Sequence, residues 1–224
     1  PIWQELAAFL KLDETDKGTY LLGARVCADF AEELHNNAEK AGIKAAFVVI
    51  KFENESEKQA LNAFETTDKG LIFIDCTGQG LYTIPIVPLK GGKIYGGSES
   101  WDKVAYVQVG KEYELISLEV ASSPAYSYYE QHKKRVQSFK TMLEDYDQKV
   151  MALNSEVEEY SRWLEGRVLY EGTAEALKAE EWFKELNRQE NILRSMEGEL
   201  DREGSSLGAF WEPLGIVKSV EIYW

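Results

Sequence analysis

The chain has 224 residues, 44% of them hydrophobic and 12% aromatic, which excludes a disordered chain and allows one domain with an elaboration, or two small ones. Subtracting 39 acidic from 25 basic residues leaves a formal charge of −14, which opposes binding to nucleic acid or to anionic lipid. No apolar run reaches the roughly 18 residues of a membrane span, so no direct membrane insertion is expected. Cys27, Cys76, His35 and His132 show no metal-ligand spacing, and no phosphate-binding or dinucleotide fingerprint occurs, so neither a metal nor a cofactor is expected.

The chain opens at Pro1 rather than Met, with Trp3, Leu6, Phe9 and Leu10 already at helical spacing, which raises the expectation of a further segment upstream. Val26, Phe30, Leu34, Ala38 and Ala41 share one helical face, Gly42 supplies the stop, and Cys27 opens that helix. Strands follow over 45–52 (AAFVVIKF), 60–66 and 71–75 (LIFID), with Asp68-Lys69-Gly70 turning between the last two. Gly91-Gly92-Lys93 with Gly96-Gly97 reads as a loop, lacking the spacing of a phosphate cradle. Residues 104–109 and 113–118 form a further hairpin around Gly110-Lys111.

From residue 125 to about 203 breakers nearly vanish. Val136, Phe139, Leu143, Tyr146, Val150, Leu153, Val157, Tyr160 and Leu164 alternate at spacings of three and four, a heptad seam. Gly166 and Gly172 bracket a turn, and Trp182, Leu186, Gln189, Leu193, Met196 and Leu200 return the same pattern. The result is an antiparallel helical hairpin whose first arm, at 1.5 Å per residue, runs roughly 55 Å and is expected to extend beyond the body. Gln189 is a polar seam residue of the kind that fixes register, and His132 falls in step with the seam as a packing residue at its base. Tyr126, Tyr128 and Tyr129 read as a docking cluster at the hairpin's start, and residues 217–224 (VKSVEIYW) as a last strand. The class is α+β with an antiparallel sheet, divided into a core at 1–123, a hairpin insertion at 124–204 and a returning strand at 205–224.

A cysteine at a helix start meets unpaired backbone N–H groups and the positive end of the dipole, the address of a nucleophile. Unpaired cysteines are also commonly buried as small apolar residues, and for Cys27 and Cys76 both a disulfide and two free thiols remain open.

The run GARVCADFAEELHNNAEKAGIKAAFVVIKF, from Gly23 to Phe52, has a Gly shortly before Cys27 and a Gly-Ile leading into a strand. QALNAFETTDKGLIFIDCTG, from Gln59 to Gly78, ends in Asp75-Cys76-Thr77. Together these stretches, a third of the chain, resemble the nucleophile segment and the next two strands of the transglutaminase-like cysteine-enzyme superfamily, whose core is papain-like. The resemblance implies that Cys27 stands at the nucleophile position and Asp75 at that of the carboxylate that orients a histidine. At the histidine's own position, before Ala-x-Asn, this chain has Gln59, an amide without useful basicity. His35 lies eight residues past Cys27 on one helix, roughly 12 Å along its axis, and Lys58 points to the opposite strand face, so neither replaces the base.

The resemblance therefore implies a catalytically impaired domain that binds a protein partner through the hairpin. An active cysteine acyltransferase or peptidase using a Cys27 thiolate is the alternative, and a homodimer formed by paired hairpins a second one. It also implies a prokaryotic, extracytoplasmic part of a membrane-anchored protein, or else a cytoplasmic one.

Overall fold

The computed structural model describes residues 1–54, 58–81, 87–88, 94–95, 100–209, 211 and 213–224. Among them are four α-helices and a six-stranded, wholly antiparallel sheet, so the class is α+β. In chain order these are α1 (Trp3–Leu12), α2 (Cys27–Lys40), β1 (Ala45–Phe52), β2 (Lys58–Thr66), β3 (Gly70–Asp75), the two-residue pair β4 (Val87–Pro88) and β5 (Ile94–Tyr95), β6 (Lys103–Tyr106), β7 (Glu114–Ser117), α3 (Tyr126–Leu164), α4 (Ala174–Leu207) and β8 (Val217–Tyr223). The sheet order is β7-β6-β3-β2-β1-β8. Two compact units divide the chain, residues 1–133 with 206–224, and residues 134–205.

In the first unit strand alternation sends side chains to two faces, each with its own core. Phe64, Ile72, Ile74, Val104, Tyr106 and Ile116 pack with Leu6 and Leu10 of α1 and Phe30 and Leu34 of α2. On the other face Val48, Ile50, Leu61, Ala105 and Tyr113 pack with Ala209 and Trp211, so the chain after α4 covers what α1 and α2 do not. The helix α2 forms where expected because its apolar face recurs every three to four residues, Asp29 reaches back to the Val26 N–H at 2.6 Å, and Gly42 takes φ +76° at the stop. Ala41, expected on the buried face, is exposed, since the helix ends before it and it serves as the C-cap. Buried Asn62 fixes α2 to the sheet, donating to Ala31 O at 2.9 Å.

Strand limits differ modestly from the expectation. β2 starts two residues early, at Lys58, because its pairing with β1 continues to Lys51↔Lys58. β6 stops at Tyr106 rather than 109, and the chain turns through Gly110 at φ +81° while Gly110 N–H bonds Val217 O. The tyrosines do dock: Tyr126 Oη donates to Glu112 O at 2.9 Å, Tyr128 Oη to Val120 O at 3.1 Å, and the Tyr129 ring lies 5.4 Å from that of Tyr106. His132 is buried on α3. The glycine-rich residues 91–93, 96 and 97 lie outside the described residues.

The second unit holds most of α3 and α4, which run antiparallel. Arg135 pairs with Glu203 at 2.9 Å, Gln189 Nε2 donates to Glu156 Oε2 at 3.0 Å, and the Tyr160 ring meets that of Trp182 at 5.3 Å. Phe139, Leu143, Tyr146, Leu186, Leu193 and Leu200 are buried along the seam. Val157, expected there, is 42% exposed; half-buried Glu156 stands inward instead, meeting Gln189. A helix of 3.6 residues per turn drifts about 20° per heptad against a strict seven-residue repeat, and a polar pair has captured the drift. Among the described residues no helix is long and apolar enough to cross a membrane.

Candidate functional site

Alternation along β2 and β3 puts Gln59 and Asp75 on the same sheet face as Leu61 and Phe73. The strands are adjacent, and the two side chains meet: Gln59 Nε2 donates to Asp75 Oδ2 at 2.8 Å and to Thr77 Oγ1 at 3.2 Å. Asp75 gathers further donors, Tyr113 Oη to Oδ2 at 2.7 Å and the Thr77 N–H to Oδ1 at 2.9 Å. Lys103, directly opposite Asp75 in the strand register, brings its Nζ to 3.8 Å from Oδ1. Asp75 and Lys103 both have 0% side-chain exposure, so solvent screens neither.

Cys27 reaches this cluster from the other direction. It is the first residue of α2, half-buried, and backbone N–H groups of Ala60, Ala28 and Cys27 itself are directed to its sulfur. The pairing of β3 with β2 reaches only Asn62↔Ile74, which leaves the Ala60 N–H beyond it open to the thiol. Burial pushes the Cys27 thiol up; those N–H groups pull down and the Asp75 charge pushes up again, with burial prevailing.

The sequence-predicted residues Cys27, Gln59 and Asp75 therefore share one neighbourhood, linked through the Ala60 N–H and the Gln59–Asp75 bond. Cys76 points away, buried in the α1/α2 core with its sulfur 3.5 Å from Phe30 O, and both cysteines are free. Burial pushes its thiol well up. His35 is half-buried, two turns along α2 from Cys27, and Lys58 is exposed.

Sequence reasoning did not find Lys103 or Tyr113. Neither carries a local motif: Lys103 gains its polar role only because β6 pairs with β3, and Tyr113, just ahead of β7, only because its hydroxyl reaches Asp75. In the second unit, a groove of about 470 Å³ is lined by Lys134, Arg135, Phe139, Met142, Arg202 and Glu203.

Chemically, the cluster can hold a carboxylate, an amide and a thiol in fixed relation. Among the described residues that form it, Gln59 supplies no base, because an amide nitrogen is not basic, and burial pulls the Lys103 ammonium below its ordinary range while the Asp75 charge pushes it back up. No protein-family model matches this chain, and no curated protein or solved structure matches it.

Proposed function

We propose that this chain is a transglutaminase-like domain that has lost its general base and works as a protein-binding module. The observation that carries this reading is the buried Gln59–Asp75 bond beside Cys27 at the start of α2, an amide held where proton transfer needs an imidazole. A cysteine acyl transfer needs a thiolate, a base to make it and a carboxylate to orient that base; two positions are filled and the middle one is inert. The direction of the Cys27 shift agrees, since a thiol pushed up by burial is mostly protonated at neutral pH and nucleophilically weak.

The hairpin is the contact device in this reading. Its distal half exposes Val157, Val168, Tyr170, Leu177 and Phe183, each more than 40% accessible, among charged residues that are mostly acidic. Pairing of two such hairpins in a homodimer is the competing use of the same surface, and a molecular mass independent of concentration would remove it.

The test is the pH dependence of Cys27 alkylation in a Cys76→Ser background. The expected midpoint lies above the ordinary thiol value of about 8.5. A midpoint below about 7 would overturn the reading in favour of an active acyltransferase or peptidase that works through a stabilised thiolate.

A further inference from the structure

The same cluster contains an ammonium group that the reading above does not use. Lys103 is fully buried in β6, and its Nζ donates to Thr77 O at 2.7 Å and to Trp101 O. The Trp101 and Trp211 rings flank it, with centroids at 5.9 and 5.8 Å. Two carbonyl oxygens, a carboxylate and two ring faces lie around the nitrogen, acceptors that suit the N–H donors of an ammonium; burial pulls that ammonium below its ordinary range and the Asp75 charge, the largest opposing influence, pushes it back up.

From this arrangement we infer that Lys103 is the standing counter-ion of Asp75 and a positioning residue of the site, so that the carboxylate's charge is already balanced without an imidazolium. In a Cys-His-Asp arrangement the aspartate's charge is reserved for the imidazolium that forms when histidine accepts the thiol proton. Here a buried cation lies 3.8 Å from Oδ1, which accepts from the Thr77 N–H, while Tyr113 and Gln59 donate to Oδ2. Burial and the Asp16 charge push the nearby Asp102 carboxyl up to about 8, which weakens its claim on Lys103 relative to that of Asp75. The loss of the base is therefore built into the charge balance of the cluster, and an imidazole placed at position 59 would meet a carboxylate already neutralised, with a buried cation behind it.

This inference rests on the base-less reading, yet the two fail separately. A reactive Cys27 in the unaltered site would sink the reading; the inference is decided by Gln59→His. In the Cys76→Ser background, Gln59→His alone is expected to raise the Cys27 alkylation rate at pH 7 by less than tenfold, against the factor of about 10² or more that a working base supplies. The new imidazole, identified by NMR against the parent's His35 and His132, is expected to titrate below the ordinary value of about 6.5. Adding Lys103→Met, which keeps the stem and removes the charge, is expected to raise that midpoint and the alkylation rate together. A tenfold or greater gain from Gln59→His alone, or an imidazole midpoint at or above about 6.5 in that variant, overturns the inference, and both readouts stand even where the double variant does not fold.

Discussion

Gly78 is the position where a single methyl group tests the fold most severely. A Cβ built there would lie 1.8 Å from Gly18 O and 2.7 Å from Asp16 O, where real Cβ contacts essentially never fall below 3.0 Å. The backbone of the 15–20 segment must therefore retreat by about 1.2 Å to admit alanine. That segment is tied to the same loop by the Tyr20 N–H to Gln79 O bond at 2.8 Å and by the Thr19↔Gln79 bridge, so the retreat breaks what holds it. Overpacking costs about 1–3 kcal/mol and a lost backbone bond about 1 kcal/mol, so Gly78→Ala is expected to destabilise by about 2–4 kcal/mol. Urea unfolding followed by tryptophan fluorescence reads this directly. A loss below about 1 kcal/mol at unchanged m would refute the close approach of the two backbones and, with it, the placement of Thr77 against Gln59.

Tyr113→Phe keeps the ring and removes the donor to Asp75, and should cost about 1.5–3 kcal/mol because the acceptor is charged; a loss under about 0.5 kcal/mol in the same assay would show that the bond does not hold. Asp102 is pushed up to about 8 in the folded chain against about 3.9 when unfolded, so the folded state holds its proton more tightly. Its stabilising contribution is complete below about pH 4 and is lost as pH rises toward 8; Asp102→Asn should flatten that part of the stability profile, and an unaltered slope would reject the assignment. Trp182→Ala removes a half-buried ring that packs on Tyr160 at 5.3 Å and Trp163 at 6.2 Å, and should speed amide exchange in the distal turns of α3 and α4 through a loss of about 2–3 kcal/mol. Exchange indistinguishable from the parent would show that those rings do not hold the helix ends together.

Much of this architecture is written in local patterns. The period of α2, with Cys27 at its start and Gly42 at its end, needed only the spacing of Phe30, Leu34 and Ala38. The two long helices followed from the absence of breakers and from the seam, and the strands from runs such as AAFVVIKF and LIFID. These are properties of neighbours in sequence, governed by periods of 3.6 and 2, and the composition alone made a buried core expected. Gln59 and Asp75 were coupled in the sequence only through the family resemblance; their 2.8 Å bond forms between the adjacent strands β2 and β3, just beyond the paired stretch.

The tertiary structure decided three things that no local pattern carries. Val157 turned outward and Glu156 inward because helical drift accumulates over several heptads and is resolved only against the opposing helix, where Gln189 waits. Cys27 has its thiol pushed up rather than down because burial, a property of everything packed around the helix start, outweighs the local N–H groups that favour thiolate. Lys103, which the sequence reading left just ahead of its strand, became a fully buried counter-ion because β6 pairs with β3 and delivers it opposite Asp75. Charge balance in a buried site is a sum over groups brought together from distant parts of the chain, 28 positions apart in this pair, and it exists only once the strands have paired.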